Sequence, residues 1–322
     1  MNDRTEEIKT RLSPEGKSYF GGGTATARDG SELLDAGKSL LGKVLDKPTI
    51  GPEMQSLNEW REDILKQPIG EDIIKDLLPN ASTEYMMICG RPGIGKTNLA
   101  LYLAFCLATD TPFFSHKTKQ CKVGYLAFEG TPHKLLNRFD KLAKSFPDTG
   151  DYLMVKRSLP FKLIENGTDK FQRVIEGLDV IIIDPLRYIV PFDYTKPVVA
   201  SHFISTLKEC CSESNTIPLL IHHIRKRDKR MFLYPEDLLF EVKGGSEWVD
   251  SAGTVLLLEQ TPRKRDKKGR FANRNPDDRI LYFAKVKDSP SEVEPYRLQF
   301  NRDKLMYEPT LDFEVEDEAY LT

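Results

Sequence analysis

The stretch that decides the fold runs from residue 85 to residue 108, YMMICGRPGIGKTNLALYLAFCLA. Its opening, YMMIC, is an apolar run that predicts a short strand. Its close, residues 98–108, is apolar and holds no Gly or Pro, which predicts a helix. Between them Gly90-Arg91-Pro92-Gly93-Ile94-Gly95-Lys96-Thr97 matches G-x-x-x-x-G-K-[ST]. The glycines let the backbone turn its N–H groups toward one point, where side chains would intrude. Lys96 brings a positive charge to the β- and γ-phosphates of a nucleoside triphosphate, and Thr97 offers a hydroxyl to Mg2+. The helix beginning at Asn98 aims its positive dipole end at the same anion. Residues 90–98 are therefore the expected nucleotide contacts, with ATP and Mg2+ as ligands.

Apolar runs recur on both sides of this stretch. Residues 122–128 (KVGYLAF), 178–183 (LDVIII), 218–221 (PLLI), 253–258 (GTVLLL) and 280–286 (ILYFAKV) read as strands. Residues 132–146 carry Leu135, Leu136, Phe139, Leu142 and Phe146 on one helical face, and residues 203–211 also fit a helix. Strands alternating with helices imply an α/β fold, a mainly parallel twisted sheet flanked by helices. The run VIII ends in Asp184, the position of a magnesium-holding acid in P-loop proteins. No Glu follows it; Pro185, Leu186 and Arg187 do. A water-activating carboxylate must then come from elsewhere. Glu129, just past the strand at 122–128, is the candidate, because α/β sheets gather their sites at the carboxyl ends of strands.

The remaining composition sets limits. The chain has 322 residues, 39% hydrophobic and 30% charged, with a formal net charge of -2. It is long enough for a large α/β domain with appendages. It is not basic as a whole, so nucleic-acid contact has to come from local patches. The cysteines, Cys89, Cys106, Cys121, Cys210 and Cys211, contain no C-x-x-C and read as buried reduced thiols. No apolar run approaches the roughly 20 residues that span a bilayer, and the charged opening MNDRTEEIKTRL is unlike a secretory signal. These features suggest a cytoplasmic protein without membrane contact. Three segments are expected. Residues 1–55 form a poorly ordered arm with a short helix at 31–45, residues 56–308 the ATPase domain, and residues 309–322 an acidic tail. Residues 56–79 should supply a helix and a strand leading into the core.

A phosphate loop, a Glu after the next strand and a bare Asp on a third resemble the RecA-like P-loop ATPases. Within them the chain most resembles the RepA-type hexameric plasmid helicases and their AAA_25-class relatives. The matching pieces are ICGRPGIGKTNLALYLA, VGYLAFEG, VIIIDPLR, LLIHH and GGSEWVDSAGTVLLLE. The resemblance implies a homo-oligomeric ring, hexameric in those helicases, and a motor working on single-stranded DNA. It also implies a γ-phosphate sensor at His222 or His223, with His222 the first choice. Lys285 and Lys287 resemble the Lys-x-Arg segment whose cations reach the neighbouring subunit's nucleotide in such rings. Here the second cation is lysine, which cannot fork two phosphate oxygens. The loop after LLIHH, with Arg225, Lys226 and Arg227, is the expected nucleic-acid contact, and the second basic run, 262–270, is a weaker one.

Two functions compete at this stage. One is an ATP-driven DNA motor or helicase of a plasmid, phage or other mobile element. The other is an ATP-dependent regulatory or assembly switch that cycles between conformations without unwinding anything.

Overall fold

The computed structural model describes residues 56–66, 70–80, 83–164, 167–191, 193–224, 239, 242–261, 275–287 and 293–310. The expected helix at 31–45, the basic residues 225–230 and 262–270, and residues 311–322 of the acidic tail lie outside these residues. The chain divides into two units, Met1–Pro68 and Ile69–Thr322. In the first, α1 (Leu57–Lys66) begins with a reciprocal cap. Ser56 N donates to Glu59 Oε2 at 2.8 Å, and Glu59 N donates to Ser56 Oγ at 3.3 Å.

The second unit is built on one sheet. Its strands among the described residues are β1 (Met86–Gly90), β2 (Val123–Ala127), β3 (Leu153–Lys156), β4 (Val180–Asp184), β5 (Ile217–His223), β6 (Thr254–Gln260), β7 (Asp278–Val286), β8 (Tyr296–Asn301) and β9 (Met306–Pro309). They lie in the order β3-β2-β4-β5-β1-β6-β7-β8-β9. From β3 to β6 every pairing is parallel, and from β6 to β9 every pairing is antiparallel. The helices are α2 (Lys96–Thr109), α3 (Pro132–Ala143), α4 (Thr168–Ile175), α5 (Pro197–Glu213) and the short α6 (Glu247–Asp250). The α/β architecture with a mainly parallel sheet and flanking helices is as expected.

Each face of the sheet carries its own core. One packs Ile88, Ile182, Leu219, Ile221 and Leu256 against α2, whose residues from Leu99 to Ala108 are all buried. The opposite core packs Cys89, Ile181, Ile183, Leu220 and Leu257 against Phe171 of α4, Phe203 and Leu207 of α5 and Trp248 of α6. Strands buried on both faces read as unbroken apolar runs, and β1 and β4 are buried at every position. All five cysteines are free and buried.

The structure departs from the sequence expectations in several places, among them the unexpected α4. Residues 70–80 form no strand; Ile74 makes only isolated bridges to Leu78 and Thr118 while Ile73, Ile74, Leu77 and Leu78 are buried. α5 begins at Pro197, earlier than expected, because proline is favoured in a helix's first turn. β3 passed unnoticed, since it is a largely exposed edge strand without a continuous apolar run. β8 and β9 passed unnoticed because only Leu298 and Tyr307 among them are buried.

Candidate active site

The parallel half brings its strand ends to one edge. Gly90, the last residue of β1, registers with His223 at the end of β5 and with Leu258 near the end of β6. Ala127, ending β2, registers with Asp184, ending β4. The loop after β1 turns into α2 through Gly95, whose φ of 112° belongs to glycine. A Cβ there would also collide with the Tyr307 hydroxyl.

Lys96 opens α2 with its side chain folded under this loop, 5% exposed. Its Nζ donates to Gly90 O at 2.9 Å and to Arg91 O at 2.9 Å. It also lies 3.0 Å from His223 Nδ1. Burial pushes its pKa down from 10.5 to about 8, with Asp184, Glu129 and Glu259 among the negative groups opposing the shift. Arg91 leans the other way, its Nε 3.6 Å from Glu259 Oε2. Asn98 Oδ1 is buried with no hydrogen-bond partner among the described residues.

Asp184 is 6% exposed. Tyr125 donates its hydroxyl to Asp184 Oδ2 at 2.6 Å, and the Thr97 hydroxyl bonds to the same carboxylate. Burial raises the Asp184 pKa, these two hydrogen bonds pull it back, and Glu129 pushes it up again. Thr97 and Asp184 thus present hard oxygen donors beside the phosphate loop, the donor chemistry that suits Mg2+ carried with nucleotide phosphates. Tyr125 was not singled out from the sequence, although it sits mid-run in β2 at an odd position matching Val123 and Ala127 on the same face.

Glu129 follows β2 by two residues and is half exposed. Its Oε1 pairs with Arg187, which lies in the turn after Asp184. Arg187 stacks over the Tyr188 ring at 5.1 Å, and Tyr188 stacks on Phe128 at 5.6 Å. The expected carboxylate is thus held by a cation whose own position is set by an aromatic pair. In the sequence Arg187 is only the third residue after Asp184, where Pro185 stands in place of a Glu.

The histidine pair separates across the sheet, because neighbouring residues in a strand face opposite ways. His222 turns away from the loop. It is 1% exposed, its Nε2 donates to Lys243 O at 2.5 Å, and it packs 5.8 Å from Trp248 and 6.1 Å from Tyr194. His223 is the ring that meets Lys96. An ammonium can only donate, so His223 Nδ1 accepts and its proton sits on Nε2. Burial lowers both histidines to about 4, with the Lys96 charge adding to the effect, so both are neutral near pH 7. Of the pair it is His223, not the first choice His222, that faces the phosphate loop and Lys96, and the register of β5 beside β1 decides this.

Lys285 and Lys287 are not part of this cluster. In β7, Lys285 registers with Val255 at the amino end of β6, the edge opposite the phosphate loop. Its Nζ donates to Val249 O and Asp250 O, both at 2.9 Å, closing the end of α6. Lys287 pairs with Glu84. Arg225, Lys226 and Arg227 lie outside the described residues.

A P-loop strand-turn-helix, a buried Asp on a parallel strand two places away and a RecA-like sheet order define a P-loop ATPase of RecA-like fold. The AAA domain family AAA_25 matches residues 53–229, and the chain belongs to that family. A solved structure described as a DnaB-like replicative helicase and its interactions with primase shares the fold. The TM-score is 0.52 at 15% identity, covering 86% of this chain and 75% of that one. No curated protein matches the chain. Among the described residues no helix is long and apolar enough to cross a membrane.

Proposed function

We propose that this chain hydrolyses ATP as one subunit of a homo-oligomeric ring that moves on single-stranded DNA. The observation that carries the reading is the convergence of Lys96, Thr97, Asp184, Glu129 and His223 at one edge of the parallel sheet. The loop N–H groups and Lys96 bind the β- and γ-phosphates. Thr97 Oγ1 and the Asp184 carboxylate would hold Mg2+, which would supply positive charge to offset the negative charge on the phosphate oxygens. Glu129 orients and deprotonates the attacking water, and Arg187 sets where that carboxylate points until substrate arrives. When a γ-phosphate draws the Lys96 ammonium, His223 loses its partner, and its Nε2–H is the donor left to follow the phosphate. That ring carries the signal into β5 and toward the residues that follow it in sequence, Arg225, Lys226 and Arg227.

Lys285 and Lys287 sit too far along the sheet to serve their own loop, so any phosphate contact they make is with a neighbouring copy's nucleotide. Family membership and the basic run after His223 in the sequence favour the DNA motor over a switch without unwinding. The deciding experiment measures ATPase rate with and without single-stranded DNA, alongside particle size by light scattering with ATP. A DNA-stimulated oligomer supports the motor. A monomer whose rate ignores DNA removes it and leaves the switch.

A further inference from the structure

The family match ends at residue 229, yet two buried side chains from beyond it reach back to the phosphate loop. Arg279 of β7 is 9% exposed, and its Nε donates to Ile94 O at 2.8 Å. Its Nη1 donates to Pro276 O at 2.6 Å and Asp278 O at 2.8 Å, which ties the guanidinium to its own strand's start. Tyr307 of β9 is 1% exposed. Its hydroxyl lies 3.4 Å from Ile94 O and 3.2 Å from Gly95 O, and donates to one at a time. Its ring packs 5.0 Å from Phe300. Burial raises the phenol above its ordinary value, so it remains a donor at any ordinary pH.

The carbonyls involved matter because of peptide geometry. In a planar trans peptide the C=O of one residue and the N–H of the next point in opposite directions. Fastening Ile94 O therefore sets the Gly95 N–H, and fastening Gly95 O sets the Lys96 N–H. Those N–H groups face the opposite side of the loop, where the phosphates bind. We propose that Arg279 and Tyr307 are positioning residues for the phosphate loop, holding the Ile94 and Gly95 carbonyls outward so that the loop meets the triphosphate already formed. The antiparallel strands β7 to β9 then belong to the nucleotide site although neither residue touches nucleotide. A preorganised loop binds more tightly because less ordering remains to be done on binding.

This inference rests on the reading of the loop as a triphosphate site, and the experiment separates the two. Tyr307→Phe keeps the ring and removes only the hydroxyl. It leaves neither carbonyl orphaned, because Ile94 O keeps Arg279 and Gly95 O keeps the Leu99 N–H at 3.1 Å. ATP and ADP affinity by calorimetry should fall about 3- to 10-fold, the range of one net hydrogen bond. KM for ATP should rise more than kcat falls, and the melting temperature without nucleotide should stay close to wild type. Arg279→Lys should retain more affinity than Arg279→Met, which has similar length and no donor. Tyr307→Phe and Arg279→Met both binding ATP as wild type does would overturn the proposal. So would a lowered melting temperature with KM unchanged. A wild-type chain that fails to bind ATP defeats the nucleotide reading instead.

Discussion

The sheet's two halves solve different problems. From β3 to β6 the strands run parallel, the inner ones are buried on both faces, and they deliver Gly90, Asp184 and His223 to one edge. From β7 to β9 they run antiparallel, and β8 and β9 each bury a single residue, Leu298 and Tyr307. Parallel strands all end on one side, so polar residues at their carboxyl ends collect without further design. Antiparallel strands alternate direction and cannot build such an edge. Their contribution here is to bring Arg279 and Tyr307 against the back of the loop. One half carries the polar groups gathered at the phosphate-loop edge, and the other reaches the backbone behind that loop.

The largest expected effect tests the chemical half. Glu129→Gln should slow ATP turnover by roughly 10²- to 10⁴-fold, the usual contribution of a general base, while nucleotide binding persists. Normal hydrolysis by this variant in a phosphate-release assay would show that the base lies elsewhere. The next separates the two halves by stability. Leu256→Ala, in the doubly covered core, should cost about 2–5 kcal/mol in urea unfolding. Met306→Ala, partly buried at the start of β9, should cost about 1 kcal/mol. Equal losses would mean that the two halves do not differ in this way.

The histidines give a third comparison, within β5. His223→Ala should lower DNA-stimulated turnover about tenfold, the loss of a charge-assisted contact. His222→Ala should instead show mainly as a lower melting temperature, since it empties a site against Trp248 and orphans Lys243 O. Reversed phenotypes would restore His222 as the sensor. The smallest effect is read by pH. Lys96 is held at about 8, is charged below it, and loses its proton as pH rises through it. Bound phosphate favours the charged form and raises the value again. ATP affinity should therefore be flat below about pH 7.5 and fall by up to tenfold per unit above pH 8, until the bound-state value is reached. Calorimetry across pH 6.5 to 9.5 checks this, and a flat profile throughout would place the lysine in a wetter site.

The parallel half was legible because burial on both faces leaves apolar runs that stand out: YMMIC, KVGYLAF, LDVIII, PLLI and GTVLLL each fall on a strand. Residues carrying a local spacing rule, Lys96 and Thr97 in the loop, were legible for the same reason. Asp184 could be named because it closes such a run. β3, β8 and β9 were not, since half-exposed strands mix polar and apolar residues without a distinct period, and α4 was not, since its eight residues give Phe171, Val174 and Ile175 only a single helical repeat. Arg187 and Tyr125 were missed because their partners lie far along the chain, 58 residues away at Glu129 and 59 at Asp184.

By itself the sequence determined the phosphate loop, the α/β class and the candidate acids Glu129 and Asp184. These follow from local backbone demands and from runs of apolar residues, which need no partner to be read. Only the tertiary structure decided which histidine faces Lys96, which cation holds Glu129, and that Arg279 and Tyr307 stand behind Ile94 and Gly95. Such contacts depend on strand register and on which face each side chain takes. They join residues up to 213 positions apart, and no local pattern in the chain encodes them.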